Sequence, residues 1–325
     1  MSYRCPYGSD CQTGVTSDLE AIVTATGFCG ERLAAEPAGV MAALPTVDLA
    51  VAVTLNPCTV MTHIGPYDRP MAAGDPLRFA EGRTALRFAA AHIDTVMMID
   101  GPAMGRMPRS LQLFSPQGTV LHRAFLSSVA DAAAYRDLRL RLTSFRSAGC
   151  ASSSASSPVS PACWPMAKGI DVARLEAADV DGHLDSLFAD YGVSRRMALP
   201  AVRGARRVRL EAVCDALSLM TQARMPVMQA AGNAGVMQLH RGMLERLRHS
   251  DNILLLTAGK CTTSIDLAQI EEAWLCPAGP AAAPRLLLEL YDWRYHCVYM
   301  LTDAGDGQEW ARAAWGRIAQ SLATA

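Results

Sequence analysis

The feature that most constrains the fold of this chain is an internal repeat with a constant offset of 177 residues. The pattern Asn, six residues, His, any residue, Gly runs from Asn56 to Gly65 and again from Asn233 to Gly242. Further matches at the same offset are Gly82 with Gly259, Arg83 with Lys260, Ile93 with Ile270, and residues 110–114 with residues 287–291. A constant offset that needs no gap is typical of a tandem duplication. We therefore interpret residues 50–126 and 227–303 as two copies of one unit.

Each copy is predicted to consist largely of antiparallel strands. Apolar and β-branched runs bounded by turn residues have the pattern of strands; they are residues 48–55, 59–63, 111–113, 120–125, 252–257 and 285–291. Some of these runs are separated by only a few turn residues, as at 115–118, where Gly118 can supply a positive φ. Such short turns join strands that run in opposite directions.

Helices are predicted beside the strands. Apolar residues recur with a period of about 3.6 in residues 131–142, 209–223 and 311–322. Ser17 and Glu20 have the spacing of a capping box, and Gly27 is a suitable end for that helix. The predicted fold class is therefore α+β, built as a tandem structural repeat.

The chain is predicted to form two domains joined by a linker. Residues 147–165 are rich in Ser, Ala and Pro, a composition that buries too little apolar surface to offset the entropy of ordering. The boundaries that follow are an N-terminal repeat with a short helical lead-in at 1–146, a linker at 147–166, and a C-terminal repeat at 167–325.

Composition argues against several classes of protein. A net charge of −1 predicts no nucleic-acid partner. No apolar run reaches the roughly 18–20 residues of a membrane span, and the N-terminus has no apolar core of a signal peptide, so we expect a cytoplasmic protein without membrane insertion. The ten cysteines contain no CxxC pair, which favours buried free thiols over a zinc site or a disulfide framework. The common nucleotide-binding and hydrolase motifs are also missing from the sequence.

His183 is the strongest candidate for a ligand. Leu184, Leu187, Phe188 and Tyr191 have the spacing of one helix face, and this helix is predicted to end at Gly192. His183 adjoins that apolar face near the start of the helix. A neutral imidazole on an apolar wall suits a transition metal, heme iron included. The alternative is a structural histidine whose ring nitrogens bond to backbone groups.

Arg87 is a second candidate, because it lies between Leu86 and Phe88 on a predicted strand and is replaced by Ser264 in the other copy. A buried arginine needs an anion or water, so it either binds a ligand or forms a salt bridge at the sheet edge. His63 and His240 are equivalent in the two copies, which favours a requirement of the fold. The other histidines are interpreted as structural or surface residues; they are His92, His122, His249 and His296.

Several segments, taken in order, carry a resemblance to a known family. They are residues 55–63, 86–88 with His92, 109–114, 118–122, 181–183, 192–195, 225–228, 232–242 and 273–274. In these segments, and in its duplication, the chain resembles a divergent member of the bacterial cytoplasmic heme-utilisation proteins of the HemS/ChuS type, also called hemin-degrading factors. The resemblance spans about residue 45 to the C-terminus.

The resemblance implies two stacked, large antiparallel sheets with flanking helices, and heme (iron protoporphyrin IX) bound in a cleft near the second half. It implies that His183 is the proximal iron ligand, that Arg87 faces iron on the distal side, and that Arg195 pairs with a heme propionate. These roles suit imidazole and guanidinium chemistry.

Three functions remain open on this basis. The first is a cytosolic protein that accepts imported heme for transfer or iron release, with a heme ABC transporter or a heme oxygenase as partner. The second is an enzyme that degrades heme with oxygen and a reductant, at the same site. The third is a duplicated scaffold that has lost heme and binds a protein or another small ligand. It is favoured by residues 275–278 and 300–303, which lack the basic residues that the family tends to have there.

Overall fold

The computed structural model describes residues 17–25, 28–33, 36–100, 109–126, 131–144, 171–188, 191–279, 284–305 and 309–325. The elements of the first repeat are α1 (Asp18–Val23), β1 (Gly30–Leu33), α2 (Pro37–Ala43), β2 (Ala50–Leu55), β3 (Thr59–Gly65), β4 (Met71–Ala72), β5 (Ala85–Phe88), β6 (Thr95–Asp100), β7 (Arg109–Phe114), β8 (Val120–Leu126) and α3 (Asp131–Ser144). Two short helices then precede the second repeat; they are α4 (Val172–Ala177) and α5 (Val180–Ser186).

The elements of the second repeat are α6 (Val193–Ala198), β9 (Arg206–Val208), α7 (Leu210–Gln222), β10 (Pro226–Gly232), β11 (Val236–Ser250), β12 (Ile253–Ala258), β13 (Cys261–Asp266), β14 (Ile270–Ala278), β15 (Arg285–Asp292), β16 (Cys297–Asp303) and α8 (Glu309–Ser321). Nearly every element of the first repeat has its counterpart at the 177-residue offset, from α1 with α6 to α3 with α8. The duplicated unit is therefore longer than the predicted 50–126, because it includes the flanking helices.

The strands form two large antiparallel sheets that share one long strand. The first sheet runs β1-β6-β7-β8-β2-β3-β13-β12-β11, and the second runs β5-β11-β10-β16-β15-β14-β9. β11 belongs to both: Met237 to Met243 pair with β10, and the residues from Leu244 onward pair with β12, with a register shift between Leu244 and Arg246. An irregularity of this kind bends a strand, which lets β11 pass from one sheet to the other.

The two repeats exchange strands. β5 of the first repeat pairs with β11 of the second, with Arg87 opposite Met237. Its counterpart β13 pairs with β3 of the first repeat, with Cys261 opposite His63. Each sheet is thus completed by a strand from the other copy.

A repeated asparagine joins the sheets at their centre. The Asn56 amide nitrogen donates to the carbonyls of Gly232 and Val298, at 2.8 and 2.9 Å. The Asn233 amide nitrogen donates to the carbonyls of Leu55 and Leu121, at 3.0 and 2.8 Å. These acceptors are also 177 residues apart, so one contact is made twice about a local pseudo-twofold axis.

The second sheet has an apolar layer on each face. Leu288 and Leu290 of β15 point toward α7 and α8, in a core that includes Leu217 and Trp315. Leu287 and Tyr291 point the opposite way, toward α4, α5 and α6. This alternation follows from the two-residue period of a strand. The face that carries Leu287 and Tyr291 is the one on which the candidate site lies.

The predicted α+β class with antiparallel sheets is confirmed. Ser17 caps α1 as predicted, with its Oγ accepting from the Glu20 amide at 3.2 Å. In the described ranges, no helix combines the length and the apolar character needed to cross a membrane. The cysteines described there are free thiols; they are Cys29, Cys58, Cys214, Cys261, Cys276 and Cys297. The predicted linker, both of its boundaries and Gly27 lie outside the described residues.

Candidate functional site

The short helix α5 lies over the apolar face of the second sheet. Asp179 is its N-cap, and its Oδ1 accepts from the Gly182 amide at 3.0 Å. Leu184, Leu187 and Phe188 are buried against the sheet. The apolar spacing in the sequence thus correctly identified the buried side of this segment.

The predicted helix boundary was wrong. Helix α5 ends at Ser186, and Gly192 does not end it but caps the start of α6, with a φ of 88°. Tyr191 is also left-handed, with a φ of 57°, and its hydroxyl donates to the Gly232 carbonyl at 2.9 Å. A glycine with positive φ commonly follows a helix, which is why the sequence favoured one continuous helix here.

His183 lies on the buried side of α5 and has no accessible surface. Among the described residues, neither ring nitrogen has a hydrogen-bond partner of normal geometry. Burial, and then the charge of Arg195, lower the pKa of His183 to about 3, with weak opposition from the Ala178 carbonyl. The ring is therefore neutral at physiological pH, the state that can ligate a metal ion.

Cys276 and Glu289 face His183 from the sheet. The ligating atoms of these three buried residues lie within 4.8 Å of one another. Cys276 is opposite Leu287 and Trp274 is opposite Glu289 across β14 and β15, so Cys276 and Glu289 are diagonal neighbours on one face. Burial, and then Glu289, raise the pKa of the Cys276 thiol to about 12.

Arg195 is fully buried and is paired with Glu289. Its Nε donates to the Glu289 carboxylate at 3.0 Å, and its Nη2 donates to the other carboxylate oxygen. The Tyr291 hydroxyl also donates to Glu289, at 2.5 Å. Burial alone would lower the pKa of Arg195, but Glu289 more than offsets it and raises this pKa above its ordinary value. Arg195, which the resemblance assigns to a heme propionate, is thus already paired with a carboxylate of the protein itself.

Arg87 is also fully buried and contacts α5. Its Nε donates to Asp185 Oδ1 at 2.7 Å, its Nη2 lies 2.5 Å from the same oxygen, and its Nη1 donates to the Asp75 carbonyl at 2.8 Å. Asp185 is two residues from His183 and 29% exposed. The structure therefore brings His183 and Arg87 to the same short helix, and the salt bridge that the sequence left as an alternative is present.

Methionines line the sheet beneath α5. Met71, Met228, Met237 and Met300 are buried in the same apolar cluster as Leu184 and Leu187. A cavity of about 10 Å³ lies between Leu187, Met237 and Met300. Methionine is flexible and polarisable and adapts to ligands of different shape, so this wall can rearrange around a flat apolar group.

A cleft of about 360 Å³ opens beside the first turn of α5. Val180 and Leu77 form part of its wall, and its charged lining consists of three arginines and two aspartates: Arg241, Arg285, Arg312, Asp179 and Asp181. Arg241 stacks over the Phe79 ring at 4.5 Å, and the Arg285 Nε donates to Asp303 at 3.3 Å. These arginines come from three separate elements, β11, β15 and α8, so no local sequence pattern could have found them.

His63, His122 and His240 belong to other parts of the fold, whereas His296 stacks on Tyr191 just beyond α5, with 4.4 Å between the ring centroids. The rings of His63 and His240 are 5.2 Å apart between the sheets, and His63 Nδ1 bonds Thr84 Oγ1 at 2.7 Å. His122 bonds Tyr67 and Thr54 in the core of the first repeat, both at 2.8 Å. Burial lowers the pKa of His122 to about 3.

The residues around α5 fit an iron porphyrin. A buried neutral imidazole whose nitrogens lack well-formed hydrogen bonds is a suitable axial ligand. The methionine wall suits the porphyrin faces, and cations at one end of α5 suit its carboxylates. The cavity of about 10 Å³ between Leu187, Met237 and Met300 is far too small for the ring, so a porphyrin in this place would require α5 to move off the sheet.

Comparisons with known proteins agree with this architecture. The model of the haemin-degrading HemS/ChuX domain matches residues 15–142 and again residues 192–322. The hemin transport protein HmuS of Yersinia pestis is 22% identical over 263 residues, which are 80% of this chain and 76% of that protein.

Two solved structures have the same fold over most of the chain. Holo-PhuS, a heme-binding protein from Pseudomonas aeruginosa, is 23% identical, with a TM-score of 0.72 over 94% of this chain and 89% of that one. ChuS, a heme-degrading enzyme of Escherichia coli O157:H7, is 19% identical, with the same TM-score and the same coverage of both chains. The two family matches begin 177 residues apart, which agrees with the duplication read from the sequence. The chain therefore belongs to the haemin-degrading HemS/ChuX family and carries two copies of its domain.

Proposed function

We propose that this protein binds heme in the cytoplasm, through His183 on α5, and carries it toward transfer or iron release. The observation that carries the proposal is the His183 ring, which has no accessible surface, lacks well-formed hydrogen bonds and is neutral at physiological pH. The nitrogens of His240 also lack well-formed hydrogen bonds among the described residues, but that ring lies against His63, whereas His183 lies on α5 over the methionine wall. The names of the related proteins, which refer to heme binding, hemin transport and heme degradation, support the choice of ligand.

The two arginines have distinct proposed roles. Arg87 is proposed to face iron on the side opposite His183, where a guanidinium can polarise a bound water. Arg195 is proposed to pair with a propionate, for which it has to release Glu289. The arginines of the neighbouring cleft offer further cations for carboxylates, in place of the basic residues that the family tends to have after the last strands.

Heme entry is proposed to require the lifting of α5. Three contacts tie this helix to β5 and to the segment before it: Asp185 accepts from Arg87 and, at 3.1 Å, from the Gly74 amide, and Asp181 accepts from the Leu77 amide at 2.9 Å. Both acceptors are only partly buried, so water can replace these bonds at modest cost. A carrier needs such reversible access, and a membrane transporter and a heme oxygenase are the proposed donor and acceptor.

A hemin titration of the full chain tests the proposal. We expect a saturable shift of the Soret band at about one heme per chain in the wild type. In His183→Ala we expect the shift to be lost or to move to a different maximum, because removal of the ring removes the proximal ligand. His249→Ala, which alters an exposed histidine at the end of β11, is the matched control and should behave like the wild type.

The other outcomes assign the other functions. A wild type that shows no specific shift contradicts heme binding and favours the scaffold function. Loss of the Soret band when a reductant is added in air, with release of iron, would identify a degrading enzyme. A stable band under those conditions, together with transfer of heme to a second protein, is expected of the carrier.

A further inference from the structure

We propose that His183, Cys276 and Glu289 form a site for a divalent transition-metal ion of the zinc class when heme is absent. All three are buried, and their ligating atoms lie within 4.8 Å of one another. An imidazole nitrogen, a thiolate and a carboxylate oxygen are the donors that zinc takes in proteins. Cys276 has no part in heme binding as proposed above, and Glu289 enters it only as the partner that Arg195 releases, so the ion is a second ligand of this region.

The separation of the donors suits such an ion after a small contraction. Bonds of about 2.0–2.3 Å in tetrahedral geometry place neighbouring ligand atoms roughly 3.3–3.8 Å apart. The side chains therefore have to close by about 1 Å. Cys276 and Glu289 are fixed on adjacent strands, β14 and β15, while His183 lies on a short helix held mainly by side-chain contacts. Movement of α5 can supply the contraction.

The surroundings resemble the outer shell of a metal site. Glu289 is held by the Arg195 guanidinium and by the Tyr291 hydroxyl. Outer contacts of this kind orient ligands before the ion arrives.

The charge at the site predicts an exchangeable ion. On binding, the ion displaces the proton of the Cys276 thiol, which is released to solvent. The resulting thiolate and the Glu289 carboxylate then together offset the two charges of the ion. Arg195 is fully buried beside Glu289, and its charge opposes a cation at the site. Binding is therefore expected to be weaker than at a closed structural zinc site, which carries no such neighbouring cation.

Cobalt(II) is the probe, because its spectrum reports both geometry and thiolate ligation. The metal-free, reduced full chain is titrated with Co²⁺. With water as the fourth ligand, we expect the visible bands of a tetrahedral ion and a thiolate-to-cobalt charge-transfer band in the near ultraviolet, saturating at about one ion per chain. Excess Zn²⁺ should abolish both. A wild type without the charge-transfer band overturns the proposal.

Cysteine variants locate the ion. Cys276→Ser and Cys276→Ala should both lose the charge-transfer band and bind Co²⁺ at least about tenfold more weakly, the lower end of the loss for altered metal surroundings. Cys261→Ser alters another fully buried thiol, on β13, and should keep the band. Thermal unfolding of each variant shows that it is folded. A band that persists in both folded Cys276 variants overturns the assignment.

A titration with hemin distinguishes the metal site from the proposed heme function. The claim that heme and the metal ion share His183 rests on that proposed function. Cys276→Ser should keep the wild-type Soret band, since its iron ligand is intact. Hemin added to the cobalt-loaded wild type should release the cobalt, and simultaneous binding of both would contradict a shared His183. Cobalt binding without hemin binding would contradict only the heme function. Hemin binding without the cobalt band would contradict only the metal site.

Discussion

His63 and His240 show how single buried side chains make this fold sensitive to pH. Their rings are 5.2 Å apart where the sheets meet, and they are 1% and 3% exposed. Burial, and then Lys260, lower the pKa of His63 to about 4, and burial, and then His63, lower that of His240 to about 4. The sequence showed their equivalence through the repeat but not their contact, which depends on the stacking of two sheets.

We predict that stability falls as the pH drops from about 6.5 to about 4. The folded-state pKa lies below the unfolded value, so the unfolded chain takes up protons first, and the stabilisation is complete only above about pH 6.5. Each of these two histidines should account for roughly 2 kcal/mol of unfolding free energy lost between pH 7 and pH 5. Urea unfolding at the two pH values measures the loss. His240→Gln should show a smaller pH dependence, and the exposed control His249→Gln an unchanged one.

The ion pair of Arg195 and Glu289 could not be predicted at all. The two residues are 94 positions apart, and no local pattern relates them. The resemblance implies that Arg195 pairs with a heme propionate, which stays a prediction, and the structure adds the carboxylate of Glu289 that competes with such an anion. The sequence thus predicted candidate residues around α5, but not the side chains with which they form ion pairs.

At the level of elements, α5 covers the candidate site. Its apolar side, with Leu184 and Leu187, covers the methionine wall, and its acidic residues Asp181 and Asp185 reach toward the segment before β5. The sequence predicted a helix with this apolar face but placed its end at Gly192, which instead caps the start of α6. The chain between α5 and α6 is held by tertiary contacts such as the hydrogen bond from Tyr191 to Gly232, and these could not be read from the local pattern.

Asp185→Asn is predicted to speed hemin association by about tenfold. The change weakens the bonds to Arg87, and a charge-assisted hydrogen bond contributes about 1.5–3 kcal/mol, which corresponds to roughly tenfold or more in the opening equilibrium of α5. Stopped-flow mixing with hemin measures the rate, and hydrogen exchange of the α5 amides should rise in parallel. Asp137→Asn, which alters an exposed Asp paired with Arg141 on α3, is the control. An unchanged association rate in Asp185→Asn would show that α5 does not limit entry.

At the level of the whole molecule, strand exchange makes the two repeats depend on each other. β5 completes the second sheet and β13 completes the first, so neither sheet is complete without the other copy. The constant offset in the sequence predicted which segments are equivalent. It could not predict which segments pair, because β5 and β13 have the same pattern whether they return to their own sheet or cross to the other.

We predict a single cooperative unfolding transition. All five tryptophans lie beyond residue 163, at positions 164, 274, 293, 310 and 315, so tryptophan fluorescence reports mainly on the second repeat. Far-ultraviolet circular dichroism reports on both. Exchange of strands couples the repeats, so the two signals should give the same urea midpoint. Separate midpoints would mean that each repeat is stable without its borrowed strand.

The central claim is that the His183 ring itself supplies the iron ligand, and restoration of the missing ring tests it most directly. His183→Ala leaves a space where a fully buried imidazole stood. Hemin spectra of this variant are recorded with and without free imidazole. We predict that the variant loses the wild-type Soret maximum and that imidazole restores it, while a non-ligating ring of similar size does not. A variant whose hemin spectrum matches the wild type before imidazole is added would contradict the claim.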